Sequence, residues 1–207
     1  MDHITNSLIN QLSFTVKDSA PFYLYEYESH NQTDIEYINF IKSYRHGSFF
    51  YNGSLQIYGC SSAIHYDIRG INDHIIKSYG RMVAELCFFA CDIFGIQFCF
   101  RNRKIYSFDL ESGKISFIAN SFIDWIDLIL NDSEFMTGEP YKRDFETKHG
   151  PVLLKQKILP IRPFVIGGEY KVENFIAYDF LDLINYNSQI AHQIYNLPDG
   201  TKVNIKY

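Results

Sequence analysis

Along residues 94–130, FGIQFCFRNRKIYSFDLESGKISFIANSFIDWIDLIL, the spacing of apolar side chains changes once and cleanly. Aromatic and β-branched residues recur at period two in 96–100 and again in 105–108, which predicts two strands. The polar run Arg101-Asn102-Arg103-Lys104 between them predicts a hairpin turn. Glu111-Ser112-Gly113-Lys114 predicts a second turn, with Gly113 free to take positive φ, before a third strand at 115–118. The period then lengthens to that of a helix. Asn120 or Ser121 caps it, Asp124 stands three residues after Ser121 as a loose capping box, and Phe122, Trp125, Ile126 and Ile129 share one face. The segment reads as a meander running into a helix that packs on it.

The same reasoning covers the flanks. Residues 21–28, PFYLYEYE, alternate tyrosines with acidic or aliphatic positions, and Asp34 starts a helix carrying Ile35, Ile38, Ile41 and Tyr44 that ends at Gly47. Residues 49–51 and 55–58 flank Asn52-Gly53-Ser54, a strong hairpin signal. A helical pattern at 73–85 is interrupted by Gly80, and the apolar run 86–93 reads as a central strand. Downstream, Gly138, Pro140 and Gly150 mark 131–150 as a polar loop. Residues 151–158 read as extended, and the prolines of 160–163 exclude a helix interior, with 164–166 ending at Gly167-Gly168. Residues 172–178 read as extended and 179–185 as a short helix. A strand at 190–195 then ends at the turn Leu197-Pro198-Asp199-Gly200, and 202–205 pairs back as a terminal hairpin. Strands and helices do not alternate regularly, so the expected fold class is α+β, a largely antiparallel mixed sheet with helices packed on it.

Composition narrows the picture. A chain of 207 residues, 46% hydrophobic and without a Pro/Ser/Gly-rich linker, fits one domain spanning 1–207, with 1–34 as a variable entry region. The 17% aromatic content suits a sheet-rich core. A net charge of −5 gives nucleic-acid binding no electrostatic support. Cys87 and Cys91 have a spacing that places two thiols on one face of a helix. No second pair or nearby His completes a zinc site, so Cys60, Cys87, Cys91 and Cys99 read as small buried hydrophobes in a reducing compartment. The first residues, MDHITNSLIN, lack the features of a signal peptide and no stretch approaches a membrane span, so a cytoplasmic protein is expected.

Several motifs together give the chain a resemblance. They are Gly47-Ser48-Phe49-Phe50 with Leu55-Gln56-Ile57-Tyr58-Gly59, residues 94–100 opening on Phe94-Gly95, 106–113, and 118–125 ending at Trp125. Later come Pro163 to Tyr170 with its Gly167-Gly168-Glu169-Tyr170 core, Glu173-Asn174, and residues 190–194 leading to Pro198-Asp199-Gly200. In this order, over most of residues 35–207, the chain resembles the SUKH superfamily, which holds the fungal Smi/Knr cell-wall-assembly regulators and bacterial immunity proteins of polymorphic toxin systems. The resemblance implies an α+β domain without catalytic activity or cofactor. For bacterial members it implies an inhibitor of a cognate toxin; the fungal members suggest instead a regulatory scaffold that binds signalling or cell-wall proteins. It makes Gly95, Trp125, Gly167, Gly168, Asn174, Pro198 and Gly200 structural positions.

The residues give no contrary chemistry. The seven His show no HExxH pattern, and GxSxG, a P-loop and a dinucleotide fingerprint are missing. His65 and Asp67 have the types of a base and its orienter, and read better as a surface hydrogen bond. Gly167-Gly168-Glu169-Tyr170 with Glu173-Asn174 reads as a chain reversal rather than a polar pocket. Between residues 115 and 141 stand Asp124, Asp127, Asp132, Glu134 and Glu139 with no Lys or Arg, an acidic surface on one helix and the loop after it. Such a run is usually only a solvated face; with a basic toxin as partner it would steer association and match charge across the interface. Tyr25, Glu26, Tyr27 and Glu28, with Tyr23, form a second candidate surface, set against an edge strand with one tyrosine face buried. The expectation is a non-catalytic binding protein, monomeric or weakly dimeric, that acts on a toxin and touches neither nucleic acid nor membrane.

Overall fold

Seven strands lie in one sheet in the order in which they occur in the chain, β1 (Leu12–Thr15), β2 (Ser48–Phe50), β3 (Leu55–Ile57), β4 (Cys87–Cys91), β5 (Gln97–Arg101), β6 (Lys104–Phe108) and β7 (Ile115–Ala119). They are seen in a computed structural model that describes residues 3–22, 33–198 and 200–205. Every neighbouring pair is antiparallel, so the sheet is a pure meander and not a mixed one. The parallel contact among the described residues is a lone bridge between Gly59 and Asp67. The expected hairpins form where alternation placed them: Tyr51 and Asn52 take positive φ between β2 and β3, and Asn102 and Arg103 do so between β5 and β6.

Because side chains alternate across a strand, the sheet presents two apolar faces. On one, Phe98 and Phe100 meet Tyr37 of α2 (Ile35–Ser43) and Trp125 of α4 (Phe122–Asn131), with Phe89 stacked on Phe100 and Phe122 edge-on to Tyr37. On the other, Phe88 packs on Phe108 and Phe108 meets Tyr79 of α3 (Ile68–Tyr79) edge-on, the Tyr79 hydroxyl donating to the carbonyl of Leu110 at 2.8 Å. Trp125 is fully buried, as its place on the apolar stripe requires. Ser121 settles the cap of α4, accepting from the Asp124 amide at 3.1 Å. Asp34 caps two helices at once: one carboxylate oxygen accepts from Glu36 at the start of α2 and the other from Phe122 at the start of α4. A short helix α1 (His3–Ile9) precedes β1 and packs near α4.

Three expected segments fold differently. Residues 131–150 are not a loop but two helices, α5 (Ser133–Thr137) and α6 (Glu139–His149). Gly138, at φ +68°, ends the first, and Pro140 lies in the first turn of the second, where its missing N–H leaves no bond unmade. The chain end carries no strand at 190–195 and no terminal hairpin among the described residues. One helix, α7 (Phe180–Ile194), runs through, burying Leu183, Ile184, Asn187, Ile190 and Ala191 at helical spacing. Pro198 and Gly200 still make a turn, closed by the Thr201 amide on the Pro198 carbonyl. The pattern read as a helix at 73–85 begins earlier, where Asp67 caps α3 through the Gly70 amide, and passes at Gly80 into a 3-10 turn. Between α6 and α7, β8 (Gln156–Pro160) and β9 (Phe175–Asp179) form a separate two-stranded sheet. The whole is a single α+β domain, and no helix among the described residues is long and apolar enough to cross a membrane.

One side chain joins α3 to the sheet. Fully buried Asn72 donates to the carbonyls of Ile68 and Phe88 and accepts from the Phe88 amide at 2.9 Å, serving β4 where its pairing with β3 has ended. Replacing Asn72 by Leu strands both backbone groups of Phe88 in the core. Urea unfolding should show a loss of about 2–5 kcal/mol, the sum for two buried unpaired groups; a change below about 0.5 kcal/mol would show that the amide is not needed.

Candidate functional site, an acidic cleft with aromatic walls

The cleft is built around three turns. After β4 the chain reverses through Asp92, Phe94 and Gly95, and the buried Asp92 carboxylate accepts from the amides of Phe94 (2.9 Å) and Ile96 (2.8 Å). Gly95 takes φ +84° against Leu183 of α7. After β6, Asp109 accepts from the Glu111 amide and the Ser112 hydroxyl, closing the turn that leads to β7. Glu111 is buried and its carboxylate reaches across to the Val165 amide at 3.0 Å, which ties this turn to the segment after β8.

The third turn is the Gly-Gly segment, and its reading as a chain reversal holds. Gly167 sits at φ +86°, and a Cβ on Gly168 would fall 1.9 Å from the Arg162 carbonyl oxygen. Asn174 binds this reversal together, accepting from the Arg162 amide and donating to the carbonyls of Arg162 and Glu169. The reversal delivers Tyr170 onto Phe164, rings stacked 3.8 Å apart and nearly parallel. Phe94 stands at the centre, edge-on to Phe164, Tyr170, Tyr141 and Phe175.

Between these turns and the helices α4 to α6 opens a cleft of about 950 Å³. Six carboxylates line it, Asp92, Asp109, Glu111, Asp132, Glu134 and Asp144, and among the described residues no Lys, Arg or His does. Phe135 at its edge is 81% exposed. From α7, Asn187 joins the wall at 2% exposure, its Oδ1 without a hydrogen-bond partner among the described residues.

Burial raises the Asp92 carboxyl to about 7, against the pull of the amides it accepts from and of Lys157 on β8. Burial likewise raises Glu111 to about 7, with the negative Asp109 adding to it. Tyr170 is pushed up to about 12, first by burial and then by Glu111, Asp92 and Asp109, which places all three carboxylates within electrostatic reach of one ring. Among the described residues no three His, Cys, Asp or Glu side chains are placed to hold a metal ion, and none of the four cysteines is in a disulfide. Cys87 and Cys91 are the two ends of strand β4, so the helical face considered for them does not exist.

The acidic residues picked out from the sequence divide. Asp132 and Glu134 line the cleft, whereas Asp124 and Asp127 are exposed on α4 away from its lining, and Glu139 is engaged by Arg143 at 3.1 Å. Tyr25, Glu26, Tyr27 and Glu28 lie outside the described residues, as does Asp199. His65 pairs not with Asp67 but with Asp179, the cap of α7, at 3.1 Å; Asp67 caps α3 instead. Asp92, Asp109, Glu111 and Asn187 escaped the sequence reading. The available signal was a lone Asp closing an otherwise apolar run just before Phe94-Gly95.

An α+β domain built on a seven-stranded antiparallel meander, with a cleft at one end of its central hairpins, defines the class to which the chain belongs. It is similar in fold to the crystal structure of Atu4351 from Agrobacterium tumefaciens, with a TM-score of 0.61 and 12% identity over 91% of this chain and 89% of that one. At that identity the likeness concerns the fold alone. No family model and no curated protein matches the chain.

Two outcomes test this account of the site. The folded protein holds protons on Asp92 and Glu111 that the unfolded chain, at its ordinary 3.8 and 4.5, has given up, so both carboxyls make stability fall as pH rises from about 4 to about 7. Asp18, held below its ordinary value chiefly by Ser61, and Asp179, where burial is outweighed by His65 and backbone amides, act in the opposite sense. Comparison of Asp92→Asn with wild type cancels them. The variant keeps an oxygen for the two amides, and it should gain on the order of 4 kcal/mol at pH 8 and little near pH 4; equal gains at both would refute the buried charge. Separately, Gly168→Ala should cost about 1–3 kcal/mol through its clash with backbone, and the near-ultraviolet signal of the stacked tyrosine should fall with it.

Proposed function

We propose that this chain is a non-catalytic binding protein of the immunity type, which acts in the cytoplasm and neutralises a cognate toxin domain by covering it. The observation that carries the reading is the cleft itself, six carboxylates with no cationic side chain beside them among the described residues, set in aromatic walls with Phe135 exposed at the edge. Aromatic anchors in a partly dry pocket supply most of the energy at protein interfaces, and a one-signed field speeds the approach of a partner of opposite sign. The same field repels phosphate, which favours a protein partner over a nucleic acid. The resemblance to the SUKH superfamily, carried by the hairpin, Gly-Gly and Trp125 motifs, supports the immunity role. A regulatory scaffold would use the same surface, and the presence or absence of a toxin gene beside this one separates the two.

A second reading has its own observation. Asp92 and Glu111 lie in a cleft with carboxyls raised to about 7, where acid and base catalysts work. Against it, both side chains already hold turns by accepting backbone amides. Turnover of glycoside or ester substrates abolished by Asp92→Asn and Glu111→Gln would make the chain an enzyme.

The immunity reading is tested by co-expressing the chain with the toxin domain encoded next to it. Growth should be restored, and survival no better than with an empty vector sinks the proposal. With the purified pair at low salt, Asp132→Lys with Glu134→Lys should slow association about tenfold, while Asp124→Lys with Asp127→Lys should change it less than about twofold. The reverse ranking would move the contact surface from the cleft to α4.

A further inference from the structure

We infer that the inner part of the cleft is a receptor for a guanidinium group, so that the partner presents an arginine side chain to Asp109, Glu111 and Asn187 beside the Phe164 and Tyr170 rings. This rests on the binding reading above and specifies the chemistry of the contact. Lining charges of one sign call for a cation, and the first question is which kind. A divalent metal wants six or more oxygens gathered within about 2.0–2.6 Å, and no three candidate ligands among the described residues are so placed. Carboxylates spread along a wall suit a cation whose charge is spread over several N–H groups instead.

Asn187 supplies an observation independent of the charges. Its side chain is 2% exposed, it lines the cleft, and Oδ1 lacks a partner among the described residues. A buried acceptor left unpaired is costly, and a ligand that donates hydrogen bonds removes the cost. Neutral apolar ligands would leave it. The aromatic wall then chooses between the two cationic side chains. Tyr170 is half-exposed and stacked on Phe164, offering a flat π face next to the carboxylates that raise its own hydroxyl. A planar guanidinium lies on such a face while its five N–H groups reach separate acceptors; an ammonium is a compact point charge that does neither as well. A cleft of about 950 Å³ has room for the side chain together with the backbone that carries it.

The test titrates the full-length 15N-labelled chain with N-acetyl-arginine amide, N-acetyl-lysine amide and N-acetyl-citrulline amide, the last a neutral mimic of the first. The arginine probe should shift the side-chain amide of Asn187 and the backbone amides of Glu111 and Val165, which donate to Asp109 and Glu111. Lysine should bind about fivefold or more weakly and citrulline not at all. Glu111→Gln, which retains an oxygen for Val165, and Asn187→Leu should each weaken the arginine probe about tenfold while the remaining amide spectrum stays dispersed. Equal binding of citrulline or lysine, shifts confined to the exposed face of α4, or no saturable shift at tens of millimolar overturns the inference. Its failure is separable from failure of the immunity reading: growth rescue with a silent cleft removes the arginine site and leaves the toxin role. Saturable arginine binding without rescue does the opposite.

Discussion

The Asp92 carboxylate, buried in the turn between β4 and β5, is the constraint on which the cleft depends. By accepting from Phe94 and Ile96 it fixes the reversal that brings Phe94 to the centre of the aromatic wall. The neighbouring backbone is a junction: the Ile93 amide donates to Thr137 at the end of α5, and its carbonyl accepts from Ile158 of β8. Meander, helical excursion and small sheet thus meet at one reversal. A carboxylate is an expensive fastener in such a place, because burial disfavours its charge. The same property leaves a chargeable group facing the cleft, so the group that builds the site also sets its electrostatics.

The architecture separates what holds the fold from what shapes the site. The main core lies on the two faces of the meander, between α2 and α4 on one side and α3 and α7 on the other. A second, smaller core of Ile93, Phe145, Val152, Ile158 and Phe175 lies under the cleft, with Phe94, Tyr141 and Phe164 packed against it. The segment from α5 to β9 adds no strand to the large sheet. What it contributes is a wall: Tyr141 and Asp144 from α6, Pro160 from β8, and Tyr170 from the reversal held by Asn174. Buried Lys157 tucks into the same region with its ammonium over the rings of Phe49 and Phe180, joining wall to meander.

From β2 onward the meander was readable because neighbouring strands follow one another in sequence and alternation marks each, whereas β1 lay in what read as an entry region. The three strands of 94–130, the Asn-Gly hairpin and the stripe through Trp125 show this. The helices α5 and α6 were hidden because Gly138 and Pro140, the usual marks of a loop, serve here as a stop and a start set side by side. In α7 the polar run Asn185 to Gln189 resembled a break, yet Asn187 and Ser188 are on the buried face. The acidic surface was visible as a charge run, but only two of its members reach the cleft. The deeper carboxylates went unread because a buried Asp that closes a turn looks, in sequence, like any turn Asp.

The order of the strands has a consequence for how the chain reaches this state. Each strand pairs with the one before it, but Leu12 faces Phe50 across α2 and Gln56 faces Cys91 across α3, so the β1–β2 and β3–β4 pairs are long in sequence and only the others are hairpins. The strands from β4 to β7 can form one hairpin at a time, whereas β1 and β3 wait for partners that follow α2 and α3, helices then at hand to cover the sheet. The last helix is α7. It packs on α3 and against Gly95, closing the face through which Tyr79 and Phe108 would otherwise meet water. That face of the sheet and the Asn187 wall of the cleft are therefore completed by one and the same helix.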